Sequence, residues 1–126
     1  MQRLRTRAQF QALLGQRPVA RTAHFALHRL SWPAPEPVAP LFGPPDTRWL
    51  GAMVPKRWAR RAVTRNAIRR QIYQLGAELL PHSGGARLIR QHAAFPKADF
   101  PSASSAALRS AVRHELKTLL TREPRP

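Results

Sequence analysis

Trp49-Leu50-Gly51-Ala52-Met53-Val54-Pro55-Lys56-Arg57-Trp58-Ala59-Arg60-Arg61-Ala62-Val63-Thr64-Arg65-Asn66-Ala67-Ile68-Arg69-Arg70 is the stretch that decides the architecture. Residues 49–54 are short, apolar and β-prone, and Pro55, which lacks a backbone donor, closes the strand. Six residues later the period changes. From Ala62 to Leu80 the apolar residues Ile68, Ile72, Leu75 and Leu79 fall within about 30° of one direction at 100° per residue. Pro81 and Gly84-Gly85 end that helix, and Ala86–Arg90, with Leu88 and Ile89, reads as another short strand. The centre of the chain is therefore a strand, a basic loop, a helix and a strand.

Working outward, Thr6 with Gln9 three residues on forms a capping-box pattern, and Phe10, Leu13 and Leu14 follow at helical spacing. Gly15 ends a helix of about 7–14. Arg21 to Leu30 reads as a strand with Phe25 and Leu27 on one face and His24, Ala26 and His28 on the other. A further short strand is expected around 18–21. Residues 31–48 hold six of the 13 prolines and read as an extended, partly polyproline excursion between two antiparallel strands. Ser104 or Ser105 caps a last helix over 105–121, with Leu108, Val112, Leu116 and Leu119 inward. Residues 122–126 are expected to fray. The expected fold class is α+β: one domain over 1–126, a small two-layer α–β sandwich with element order α-β-β-β-α-β-α.

Lys+Arg total 22 against 6 Asp+Glu, a net charge of +16 in 126 residues. Residues 1–35 and 47–77 contain no acid at all, so their cations have no internal carboxylate to pair with. A solvated face is the ordinary reading of a charge run. This density carries a self-repulsion that solubility does not require, and it points to a polyanionic partner. A hydrophobic content of 43% argues for a folded core, and no apolar run is long enough to span a bilayer. The absence of cysteine removes disulfides, zinc ribbons and thiol catalysis. His24 and His28 sit too far apart on an extended strand to share an ion, because alternate residues are roughly 7 Å apart. The six carboxylates form no nearby pair, which speaks against a two-metal nuclease centre in this chain. No catalytic and no metal-ligating residues are expected.

On the central helix, Arg65, Arg69, Tyr73, Asn66 and Arg70 sweep from about 60° to 200° when Ile68 is set at zero. Guanidinium forks match phosphate oxygens, and an amide can reach backbone or base edges. Tyr73 is open to two readings, stacking on a base or covering the core. Trp58 is likewise open to stacking on RNA or on Arg57 or Arg61.

The run Lys56-Arg57 after a strand with internal Gly51, then Ala62-Val63-x-Arg65-Asn66-x-Ile68-Arg69-Arg70, resembles the signature of the bacterial ribonuclease P protein subunit. The basic N-terminal segment, the helix with Phe10, then Gly15, Arg17 and a strand with Phe25 and Leu27 agree with that resemblance over roughly residues 3–120. The resemblance implies a central mixed sheet with a left-handed β–α–β crossover, like that of a domain of one ribosomal protein. It implies an accessory subunit that binds ribonuclease P RNA, whose own Mg2+-dependent site cuts precursor tRNA to leave the mature 5′ end. Lys56, Arg57, Arg60, Arg61, Arg65, Asn66, Arg69 and Arg70 would contact the RNA subunit. Phe10, Leu14, Phe25 and Leu27 would line a cleft for the single-stranded 5′ leader, although Phe10 and Phe25 read equally well as core. A cytoplasmic monomer within a ribonucleoprotein is implied. The chain departs from the family pattern at Ala67 and Tyr73, where basic residues are usual, and at Leu14, where an aromatic is common. A structural RNA-binding protein of ribosomal type, without leader recognition, is the alternative.

Overall fold

The computed structural model describes residues 1–96 and 105–124. Among these, β1 (Gln2–Arg3), α1 (Arg7–Leu14), β2 (Ala20–Arg21), β3 (Phe25–Arg29), β4 (Arg48–Met53), α2 (Ala62–Leu79), β5 (Gly85–Gln91) and α3 (Ala106–Thr121) follow in order, with a 3-10 turn at Ala39–Leu41. The strands form one mixed sheet, β1-β4-β5-β3-β2. β4 runs parallel to both β1 and β5, while β3 is antiparallel to β5 and to β2. The unit β4–α2–β5 thus joins two adjacent parallel strands through a helix.

The α+β class and the order from α1 onward agree with the sequence, and three details differ. β1 is an added strand that two polar residues do not announce. The stretch 21–30 is broken by a turn, Thr22 N donating to Phe25 O at 2.9 Å, so that β2 and β3 form a hairpin. β3 and β4 run in opposite directions but are not partners, because β5 lies between them.

The sheet carries a hydrophobic cluster on each face. On one side Phe25, Leu27, Leu50 and Ile89 meet Ile68, Ile72 and Leu75 of α2 and Leu108, Val112, Leu116 and Leu119 of α3. Leu79 is half exposed, and Leu80, in the extended residue that ends α2, takes the buried place expected of it. On the other side Leu88 and Ala86 meet Leu4, Leu13 and Phe42. Gly51 faces this second cluster, where a Cβ would stand 2.5 Å from Leu4 Cδ1, so its missing side chain leaves the room that Leu4 fills as it packs against β4.

The proline-rich segment is a packed cover of this second face. Phe42 is fully buried, its carbonyl accepts from Trp49 Nε1 at 2.8 Å, and Trp32 Nε1 donates to Pro45 O at 2.6 Å. Gln9 joins it to α1. Its Oε1 accepts from Arg5 N and Thr6 N, completing the capping box, while Nε2 donates to Leu41 O at 2.8 Å. Ser105 caps α3 by accepting from Leu108 N at 3.0 Å; Ser104 lies outside the described residues. Residues 122–124, expected to fray, are tied down: Arg122 donates to Arg21 O and Arg29 to Pro124 O, each at 2.7 Å. Residues 125–126 lie outside the described residues.

Candidate nucleic-acid interface

The 55–61 loop makes a turn, with Trp58 N and Ala59 N both donating to Pro55 O. Ala59 is buried beneath it, so the turn presents Lys56, Arg57, Arg60 and Arg61 outward, all exposed. Arg57 stacks over the Trp58 ring at 5.1 Å, so Trp58 takes the intramolecular cation of the two readings. Arg61 is the N-cap residue of α2 and makes no side-chain cap.

The arginines of α2 differ from one another in a way that helical angles do not reveal. Arg65 is half-buried and turns back on the loop: its Nη1 donates to Ala59 O at 3.0 Å and to Arg60 O at 2.8 Å. It holds the loop whose cations point out. Arg69 donates to Asn66 Oδ1 at 3.2 Å, which fixes that amide, and Asn66 and Arg70 are exposed. Tyr73 is a structural residue. Its hydroxyl accepts from Ala52 N at 3.2 Å, beyond the last residue of β1, and its ring lies 4.0 Å beneath the Arg3 guanidinium. Arg3, which sequence reasoning passed over, thereby joins the basic side of α2.

The cleft residues divide. Phe10 is half-buried and packed against the cluster beneath α1, and Leu14 is 37% exposed at the end of that helix. Phe25 and Leu27 are wholly buried on the opposite face, under α2 and α3. They are core residues and line no cleft beside α1. Both faces of β3 are covered, so its alternation carried no mark of which face looks toward α1. His24 also leaves the face assigned to it. The 22–24 turn swings it toward α3, where His24 Nδ1 meets Glu115 Oε1 at 2.6 Å and the ring stacks on Phe95.

The sheet face toward α1 carries Ala26 and His28 of β3 and Leu88 and Arg90 of β5. Register places Met53, Arg90, Ala26 and Arg21 side by side across four strands, a row roughly 14 Å wide at the usual strand spacing. Burial lowers the pKa of Arg90, and the charges of Arg21 in the same row and of Arg57 on the 55–61 loop lower it further. His28 is buried beside it and bonded to Gln16 O at 2.8 Å, which anchors the C-terminal end of α1 to β3. The signal that would have found Arg21 and Arg90 is their register with Ala26, a long-range quantity. Among the described residues no three of His, Cys, Asp and Glu gather in metal-binding geometry, and no helix is long and apolar enough to cross a membrane.

The family model described as Ribonuclease P matches residues 1–122. The chain is 35% identical to the ribonuclease P protein component of Ralstonia pickettii (strain 12J), over 98% of this chain and 80% of that protein. With that of Burkholderia pseudomallei (strain 1106a) it shares 33%, over 93% and 78%. The Staphylococcus aureus RNase P protein superposes with a TM-score of 0.65 at 18% identity, covering 96% of this chain and 94% of that one, a likeness of fold. With the family model matching nearly the whole sequence and relatives of this identity along it, the chain belongs to the ribonuclease P protein family.

Proposed function

We propose that this chain is the protein subunit of ribonuclease P, assisting endonucleolytic removal of the 5′ leader from precursor tRNA. Lys56, Arg57, Arg60, Arg61, Asn66, Arg69 and Arg70 contact the RNA subunit, and Arg65 holds the loop that presents four of them. The leader crosses the sheet beside α1, over Met53, Arg90, Ala26 and Arg21, with Leu14 and Phe10 on the helix side. The catalytic groups and the Mg2+ ions belong to the RNA, and the complex is cytoplasmic, with one copy of this chain. The protein's part is physical. It neutralises phosphates that would otherwise repel one another, and it holds substrate and RNA enzyme in register. The observation that carries this reading is the strand register that sets Arg21 and Arg90 in one sheet row, beside a loop whose exposed side chains are cationic.

The test is cleavage of labelled precursor tRNA at low Mg2+ by a bacterial ribonuclease P RNA, with and without this protein. Restored cleavage at the mature 5′ end is the expected result. Tight binding to the RNA without restored cleavage, on either major RNA architecture, would leave a structural RNA-binding role instead.

A further inference from the structure

Arg29 and Arg87 are direct cross-strand partners on β3 and β5, on the face that meets α3. Two like charges placed opposite each other on an antiparallel pair repel, and an anion between them offsets that repulsion. Here the anion is Glu123, from the segment just past α3. Arg87 Nε donates to Glu123 Oε1, and Arg29 Nη1 stands 3.5 Å from the same oxygen. Both guanidinium groups are largely shielded, with side chains 22% and 11% exposed. They border a cleft of about 860 Å3 that Gln16, Arg17 and Trp32 also line. The backbone is cleared for this arrangement, since a Cβ on Gly85 would fall 2.9 Å from Arg87 Nη1. One carboxylate thus bridges two arginines, with Arg17 lining the same cleft, in a position where a guanidinium pair donates equally well to phosphate oxygens.

We propose that Arg29 and Arg87, with Arg17 at the rim, form a phosphate-binding site that the chain's own Glu123 occupies. A phosphate group displaces the Glu123 carboxylate and releases residues 122–124 from the sheet. The site lies at the Pro81 end of α2, about 27 Å from the 55–61 loop by helix rise. It stands independently of the ribonuclease P reading, because inorganic phosphate suffices to probe it.

The experiment follows the arginine Nε–H resonances of the intact protein during titration with inorganic phosphate, and in parallel with a short single-stranded RNA. The wild type, Glu123→Gln and a chain ending at Arg122 are compared. The expected result is a phosphate-dependent shift of the Arg87 signal whose apparent Kd falls at least about tenfold in Glu123→Gln. Adding Arg29→Ala to that variant abolishes the gain. The truncated chain reproduces the effect should Glu123→Gln fold poorly. Saturation by the RNA at lower phosphorus concentration identifies a polynucleotide backbone as the ligand, and response to inorganic phosphate alone identifies the free ion. Arg87 signals unmoved by both probes in all three proteins would overturn the proposal and leave Glu123 as a structural ion-pair partner only.

Discussion

Arg90 Nε donates to His28 Nε2 at 3.3 Å, while the other ring nitrogen of His28 lies 2.8 Å from Gln16 O. A guanidinium offers only protons and a carbonyl only lone pairs, so the ring is neutral with its proton on Nδ1. Burial lowers the His28 pKa below 6.5 and the charges of Arg90 and Arg21 lower it further, outweighing the Gln16 carbonyl, which favours the imidazolium.

The stability consequence has a definite sign. In the unfolded chain the imidazole takes up its proton at the ordinary value, above the folded one, so the unfolded state binds more protons between the two. The contribution of His28 is therefore complete above about pH 6.5 and is lost as pH falls toward the lower folded value. Thermal melts at pH 7.5 and pH 5.5 check this. His28→Asn lowers the melting temperature at both, and its drop between the two is smaller than that of the wild type.

Arg65 and Arg70 are one helical turn and a little more apart, yet they are expected to fail differently. Arg65→Ala frees the Ala59 and Arg60 carbonyls and loosens the loop. Charge-assisted bonds of this kind, discounted for half exposure, amount to about 1–2 kcal/mol of stability. Arg70→Ala leaves stability within about 0.5 kcal/mol and reduces the salt slope of RNA binding by about one. Denaturant melts paired with RNA titrations at several salt concentrations separate the two roles; equal loss of stability in both variants would contradict it.

Phe25→Ala removes a side chain with no exposed surface and is expected to cost about 3–5 kcal/mol. Leu14→Ala touches an exposed side chain and changes stability by less than about 0.5 kcal/mol. With the leader beside α1, Leu14→Ala and Arg21→Ala weaken precursor tRNA binding more than mature tRNA binding. Affinities for both tRNAs, measured on folded variants, decide the point.

Gln9→Glu is a conservative change with opposed effects. A carboxylate near the N-terminus of α1 gains about 0.3–1 kcal/mol from the helix dipole. It also loses the Nε2 donor to Leu41 O and sets an anion against that carbonyl in a site only 5% exposed, a cost of about 1–3 kcal/mol. The second effect wins, so the variant is less stable and its 31–48 segment is cut faster in limited proteolysis. Unchanged cleavage would show that Gln9 does not hold the segment.

The helices were legible because their signals are local. The Thr6–Gln9 box, the apolar stripe through Ile68, Ile72 and Leu75, and the cap at Ser105 each lie within a few residues of what they determine. The basic character of the 55–61 loop, with exposed Lys56, Arg57, Arg60 and Arg61, was legible for the same reason. The two polar residues of β1 carry no pattern and become a strand only because the free edge of β4 is there to receive them.

By itself, then, the sequence determined the three helices and the strands flanking α2, the polyanion-seeking charge and the family resemblance. Tertiary structure alone decided that β5 lies between β3 and β4, that Phe25 and Leu27 face α2 and α3, and that Arg21 and Arg90 share a row. It also decided that Arg65 points inward and that Glu123 sits between Arg29 and Arg87. The physical reason is that periodicity says a strand has two faces without naming what covers each. That choice is made by pairings between residues far apart in the chain, whose free energy belongs to the assembled sheet and to no segment of it.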